Sequence, residues 1–355
     1  MKRYLFVWLF LVIALASEAK TGEVKNLIIM IGDGMSLPQI YSGLTKNGGQ
    51  LDIERAHYVG LSRTNSSDNY TTDSAAGGTA IACGVKTKNG AIGVDDSGVK
   101  VPSMIALAEE KGKRTGIVVT SEVTHATPAS FYAHQPSRKM GEEIAADLLN
   151  IEVDVVYGGG RNHFTKRADQ RNLISELEKK GYQYIEKTED LKDVKSDKVI
   201  GLFNDSHMPS VENNRGNMLQ DCVASALSLL DKKNKNGFLL MVEGSQIDFE
   251  SHANKGDNVA AEMIDFDKAV KVAFDFADKN PGTLVIVTAD HETGGMTIQG
   301  GNFENKSVKT AFSTKGHTAI PVPVFAYGAG ADKLSGVYHN TEIFNRVCSL
   351  LNLKK

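Results

Sequence analysis

The sequence predicts a three-layer α/β/α sandwich around a central, mostly parallel sheet, and three observations predict it. Short runs apolar on both faces recur along the chain, as strands buried between two helical layers require. Stretches of helical period separate those runs. Strand after strand also ends in a residue able to carry chemistry. That suits open α/β sheets, whose ligands lie beyond the carboxyl ends of the strands.

Taken in order, the expected strands are Asn26 to Gly32 (NLIIMIG), Gly116 to Thr120 (GIVVT), Val153 to Tyr157 (VDVVY), Phe238 to Val242 (FLLMV), Thr283 to Thr288 (TLVIVT) and Val322 to Tyr327 (VPVFAY). Val101 to Lys113, Gly141 to Asn150, Asn217 to Lys232 and Ala260 to Lys279 carry the helical period between them. Ile185 to Lys198 reads as a charged, solvated surface segment. Asp290 to His317 contains a Gly-, Asn- and Lys-rich connection, expected as a surface excursion near the site. No repeat, low-complexity tract or linker divides residues 20–355, which are expected to form a single domain.

Ahead of them, Lys2 and Arg3 precede an apolar stretch from Tyr4 to Ala16, followed by Ser17-Glu18-Ala19. A basic start, an apolar run short of the ~20 residues of a membrane span, and small residues for cleavage describe a secretory leader. Cleavage is expected after Ala19, with Ala16 the other site of small-x-small pattern. The expected location is therefore periplasmic or secreted, with no stable membrane anchor. A net charge of −3 offers no basic surface to a nucleic acid. The cysteines are Cys83, Cys222 and Cys348, an odd number. Cys83 reads as packing, and a bridge between Cys222 and Cys348 stays open.

Ser74 opens the run Ser74-Ala75-Ala76-Gly77-Gly78-Thr79 behind Asp73. Small residues there suit a helix start at which backbone closely approaches an anion, so Ser74 is a candidate nucleophile. Other segments supply ligands of divalent metals: Gly32-Asp33-Gly34, His125-Ala126-Thr127, Glu243-Gly244, Asp290-His291 and Gly316-His317. Asp248 and His252, four apart, share one helix face and with His317 make three ligands for a zinc that keeps an open position. Asp33, Asp290 and His291 form a second zinc-like set. Asp33 with Thr127 and Glu243 forms an all-oxygen set that suits magnesium. Two zinc ions about 4 Å apart clamp the attacking and leaving oxygens of an in-line displacement. Arg138 offers the fork that phosphate oxygens need. His134 reads as structural, and His57, His163, His207 and His339 as ordinary. Together these residues imply metal-assisted phosphoryl transfer.

With those motifs in hand, the chain from about Lys25 onward resembles bacterial alkaline phosphatase, and most closely its compact cold-marine members. The resemblance implies phosphate-monoester hydrolysis at alkaline pH through a phosphoserine on Ser74, with Arg138 binding phosphate. It implies two zinc ions, on Asp248, His252 and His317 and on Asp33, Asp290 and His291. It implies one magnesium, on Asp33, Thr127 and Glu243, and a homodimer. His125 stands where some relatives carry aspartate, and Phe249 where some carry lysine or histidine, so one donor toward phosphate is missing. The alternatives are a sister phosphodiesterase or phosphonate monoester hydrolase on the same bimetal frame, and an exported scavenger without turnover.

Overall fold

The computed structural model describes residues 23–353, other than 233. The predicted leader lies outside them. Fourteen strands are formed: β1 (Asn26–Gly32), β2 (Tyr58–Arg63), β3 (Arg114–Glu122), β4 (Val155–Gly159), β5 (Gln183–Ile185), β6 (Val199–Leu202), β7 (Phe238–Gly244), β8 (Thr283–Thr288), β9 (Glu292–Thr293), β10 (Met296–Asn302), β11 (Ser307–Phe312), β12 (His317–Thr318), β13 (Val322–Gly328) and β14 (Gly336–His339). Ten of them build one sheet, in the order β14-β2-β13-β8-β1-β7-β3-β4-β6-β5. All neighbours in it are parallel except β13, which runs against both β8 and β2.

Strand β1 shows why this is a sandwich. All seven of its residues are buried. Leu27, Ile29 and Ile31 enter one core, where α2 (Ser74–Cys83), α3 (Met104–Glu110), α5 (Gly141–Asp147), α7 (Leu173–Lys179) and α11 (Thr341–Leu350) pack. Ile28 and Met30 enter the opposite core, against α1 (Leu37–Lys46), α8 (Met218–Asp231), α9 (Gln246–His252) and α10 (Gly256–Lys279). Alternate side chains of a strand point to opposite faces, so a run apolar at every position needs a helical layer on each side. Each such side chain stabilises the fold by about 1.5–3 kcal/mol. The remaining helices, α4 (Ala126–Ala129) and α6 (Asn162–Thr165), are single turns.

The six expected strands and four expected helices are present, with shifted ends. Strand β4 begins at Val155 rather than Val153, because the Asp154 carboxylate is engaged by the Thr115 amide at 2.8 Å and by Arg114 at 3.2 Å. Helix α3 begins at Met104 because Ser103 caps it, accepting from the Ala106 amide. Strands β2, β5, β6 and β14 were not expected from the sequence; they lie toward the sheet edges, where apolar patterning is weak. The charged stretch from Ile185 to Lys198 connects β5 to β6 across the surface, and the excursion after Asp290 is largely the antiparallel β10–β11 hairpin. Cys222 and Cys348 sit in the opposite cores, so the pairing left open is excluded; none of the three cysteines is in a disulfide, and all are buried. Among the described residues no helix is long and apolar enough to cross a membrane.

A buried charge cluster ties α10 to the segment before α8. Arg215, its side chain 1% exposed, pairs with Glu262 and, at 2.8 Å, with Asp265, one helical turn apart on α10. Removing only the cation would leave two buried carboxylates with a single donor between them, the Val211 amide on Glu262, which costs about 3–5 kcal/mol. Arg215→Leu is expected to lose that much in urea unfolding. An unchanged midpoint would show that the carboxylates find water instead.

Candidate metal centre and nucleophile

Four neighbouring parallel strands, β8, β1, β7 and β3, end side by side, and each delivers a polar group there. Asp290 follows β8, Asp33 follows β1, Glu243 is the penultimate residue of β7, and His125 and Thr127 follow β3. Asp33, Thr127, Glu243 and Asp290 are fully buried. One residue separates β7 from α9, which presents Asp248 and His252 to the same edge. Strand β12 brings His317 from the far side of the hairpin.

Three groups of ligand atoms result, each within 4.8 Å: Asp248, His252 and His317; Asp33, Asp290 and His291; and Asp33, His125 and Glu243. The first two are the predicted zinc sets. The third brings His125 beside Asp33 and Glu243, the carboxylates of the all-oxygen set.

The histidine rings are pre-oriented for metal. His317 Nδ1 donates to the Thr72 carbonyl at 2.9 Å, His252 Nδ1 to the Lys315 carbonyl, and His291 Nδ1 to the Thr293 hydroxyl at 3.2 Å. Each partner accepts the Nδ1–H and turns Nε2 toward the cluster, the arrangement that metal-binding histidines adopt. Nε2 of His252 and of His317 are 3.1 Å apart. His291 Nε2 lies 3.4 Å from Asp33 Oδ1 and 3.2 Å from Asp290 Oδ2. Nitrogens and carboxylate oxygens this close need positive charge among them, either a proton on His252, which Asp248 pushes up to about 9, or a metal cation.

The carboxylates point the same way. Asp33 Oδ1 and Oδ2, Thr127 Oγ1, Glu243 Oε1, Asp290 Oδ2 and His125 Nδ1 are buried and lack a hydrogen-bond partner. Burial, then the charges of Asp248 and Glu243, pushes Asp290 up to about 8. Burial pushes Glu243 up to about 7 against the hydroxyls of Ser245, Thr127 and Ser121. Asp33 is raised by burial and by Asp290. Burial would raise Asp248 too, but the hydrogen bond from His252 and the nearby His291 and His317 hold it well below the usual carboxylate range. Acids this reluctant to ionise, grouped around unpartnered atoms, fit divalent cations and little else.

Ser74 is the first residue of α2 and is 1% exposed, its Oγ 3.2 Å from His291 Nε2. Asp73 caps the helix through the Ala76 amide, so Ser74 is free of that duty. Two glycines let the helix reach the metal ligands. A Cβ on Gly77 would sit 3.0 Å from the Asp290 carbonyl oxygen, and one on Gly78 3.3 Å from Thr127 Cα. Arg138 is aimed from both sides: Nη1 donates to Asp73 Oδ2 and Nη2 to His125 Nε2, each at 3.1 Å. All ten predicted site residues therefore gather at one sheet edge. His134 is structural, held to the Gly93 carbonyl at 2.7 Å.

The sequence reading missed several participants. Thr293, fully buried, donates to Asp248 Oδ1 at 2.5 Å while accepting from His291 Nδ1, so one hydroxyl spans both zinc-like groups. Its position two after His291 was the available signal. Ser121 and Ser245 hold Glu243 Oε2 at 3.2 and 2.7 Å. His207, read as ordinary, packs edge-on against His125 and Phe249 with ring centres 5.5 and 5.0 Å away. Nothing in the sequence around it announces this, because it arrives on the connection after β6.

The alkaline phosphatase family model matches residues 24–307. Alkaline phosphatase 4 of Bacillus subtilis is 35% identical over 96% of this chain and 92% of its own length. Alkaline phosphatase of Escherichia coli is 30% identical over 96% and 89%. Among solved structures, alkaline phosphatase from the Antarctic bacterium TAB5 superposes with a TM-score of 0.89 at 40% identity, covering 93% of this chain and 99% of that one. A variant of the TAB5 enzyme, described with magnesium bound in its M3 site, gives 0.88 at 39% identity, covering 94% and 99%.

Proposed function

Since the chain belongs to the alkaline phosphatase family and is a phosphatase, we propose that it hydrolyses phosphate monoesters through a covalent phosphoserine on Ser74. The observation that carries the reading is the placement of Ser74 Oγ, buried at a helix start and 3.2 Å from a metal-type nitrogen.

Asp248, His252 and His317 would hold one zinc; Asp33, Asp290 and His291 the other; and Asp33, Thr127 and Glu243, with His125 beside them, a magnesium. When bound, such ions lower the pKa of a hydroxyl and neutralise a departing alkoxide. The protein's own groups do the rest. Ser74 gives up its hydroxyl proton to solvent and its Oγ attacks phosphorus opposite the ester oxygen; the P–Oγ bond forms as the P–O bond to the alcohol breaks, and the alcohol leaves with a proton from solvent. The Arg138 fork holds two non-bridging oxygens and follows them through the in-line transition state. Water then attacks phosphorus from the vacated side, the P–Oγ bond breaks, and Ser74 is regenerated. Two displacements retain configuration at phosphorus. An alkaline optimum follows from the need for deprotonated nucleophiles. Export and a homodimer belong to the same proposal.

The test is hydrolysis of p-nitrophenyl phosphate against bis-p-nitrophenyl phosphate on metal-depleted protein with zinc and magnesium restored. Monoesterase activity that returns only with metal supports the reading; diester preference, or tight zinc binding without turnover, refutes it. Phe249 bears on release. It packs on rings and offers phosphate no hydrogen bond, so Phe249→His is expected to lower the phosphate inhibition constant about three- to tenfold. Unchanged or weaker inhibition would show that Phe249 does not govern phosphate retention.

A further inference from the structure

Glu292 follows the ligand His291 and has no part in the chemistry above, yet it is one of the most heavily engaged side chains of the site. It is fully buried. Its Oε1 accepts from Gln39 Nε2 at 2.9 Å and from the Met296 amide at 3.1 Å. Its Oε2 accepts from the Gly295 amide at 3.2 Å and from the Thr318 hydroxyl. All these donors are neutral, so no basic side chain explains the buried carboxylate.

What those donors belong to decides its role. Thr318 is the second residue of β12, and the first is His317. That strand is only two residues long, pairing Thr318 with Glu292 and His317 with Thr293. It terminates the long excursion after Met296 and is half-buried, so its backbone alone holds it lightly. Gln39 belongs to α1, and its other amide atom, Oε1, accepts from the Ser36 amide at 3.0 Å, closing the turn that begins at Asp33. Gln39 Nε2 also donates to the Thr293 carbonyl at 2.9 Å. One carboxylate thus grips the neighbour of His317 on one side and, through Gln39, the turn that carries Asp33 on the other.

We propose that Glu292 is a positioning residue that fixes the spacing between the two zinc sites, by clamping the His317 strand and the Asp33 turn to one buried anchor. The proposal rests on the two-zinc reading above. The chemistry demands a carboxylate at this position. Each of its oxygens receives a backbone N–H that cannot turn round, from Met296 or from Gly295. A glutamine would bring an NH₂ group against one of them, whichever way its amide faces.

The test is zinc titration against a competing chromophoric chelator, with the visible absorption of the cobalt(II)-loaded protein alongside, on wild type, Glu292→Gln and Thr318→Val. Thr318→Val removes only the clamp on β12 and keeps its shape. Thr318→Val is expected to weaken the zinc on Asp248, His252 and His317 about tenfold or more and to leave the other zinc as in wild type, whereas Glu292→Gln, which also releases Gln39 and the Asp33 turn, is expected to weaken the other zinc as well, by less. In Thr318→Val the cobalt spectrum should change for that site alone. Two zinc ions bound by both variants with wild-type affinity would overturn the proposal. So would equal weakening of both sites in step with a fall in the thermal midpoint of the metal-free protein, which would mark Glu292 as merely structural. A wild-type protein that takes up fewer than two zinc ions would instead overturn the two-zinc reading, and this proposal with it.

Discussion

Replacing Ser74 with alanine is expected to lower turnover about a thousandfold or more while leaving zinc bound and the fold intact. The fold should survive because the helix start does not depend on this hydroxyl. Asp73 supplies the cap, accepting from the amides of Ala76 and Gly90 at 3.0 Å each, and it also holds Arg138. The Oγ itself has a single partner, His291 Nε2, which the reading assigns to metal. What alanine removes is the atom that bonds to phosphorus. Water must then attack the bound ester directly, with the metal ligands and Arg138 still in place to stabilise it, so a residual rate is expected. Turnover of p-nitrophenyl phosphate, zinc content, and acid-quenched labelling with radioactive phosphate would be measured together. A variant that keeps a tenth of wild-type turnover, or that loses its zinc, would remove Ser74 from the nucleophile's role.

The second large effect is on stability. Stripping the metals should make the protein progressively less stable as pH rises from about 6 to 9, and restoring zinc and magnesium should abolish that slope. Asp33, Glu243 and Asp290 all titrate above an ordinary carboxyl when metal is absent, Glu243 at about 7 and Asp290 at about 8. An unfolded chain releases those protons near pH 4. Between these values the folded state holds more protons than the unfolded one, so each rise in pH favours unfolding. The loss is on the order of several kcal/mol in total and continues until Asp290, at about 8, and His252, pushed up to about 9 by its hydrogen bond to Asp248, have lost their protons. The buried imidazoles act oppositely. His125, held down to about 3 by burial and Arg138, and His291, lowered by burial and His317, stay neutral when folded. They therefore withdraw stability as pH falls below about 6.5. The gap in thermal midpoint between metal-loaded and metal-free protein should therefore widen from pH 6 toward pH 9. A metal-free midpoint that is flat from pH 6 to 9 would refute this account of the buried carboxylates.

The core of the fold was legible because buried central strands are written as unbroken apolar runs, and β1, β7 and β8 are such runs. Strand β2 was not, since its burial alternates and Gly60 and Ser62 interrupt the apolar pattern. The ligand set was legible for a related reason. In a parallel sheet each strand's end faces the site, so Asp33, Glu243 and Asp290 can be found from where apolar runs stop. The groups that orient those ligands were not legible. The Thr72 and Lys315 carbonyls are backbone, and any residue type could supply them. His207 reaches the site from a distant segment, and Gln39, though near Asp33 in the chain, belongs to no motif.

Asp33 opens the site and His317 completes it, and the contacts that join them span most of the chain; the Gly34 amide meets Asp290, 256 residues later. No partial chain can therefore make a complete zinc pair. As the polypeptide emerges or refolds, Asp33 and Ser74 must wait, unpartnered, for β8, α9 and finally β12 to arrive. Closing contacts between such remote segments is the slow part of folding such a sheet. Completion of the proposed zinc pair then comes late in the sequence of events, and a filled pair certifies that β12 has docked. A chain truncated ahead of His317 would be unable to finish that step, so partly made molecules should be inert as well as incomplete.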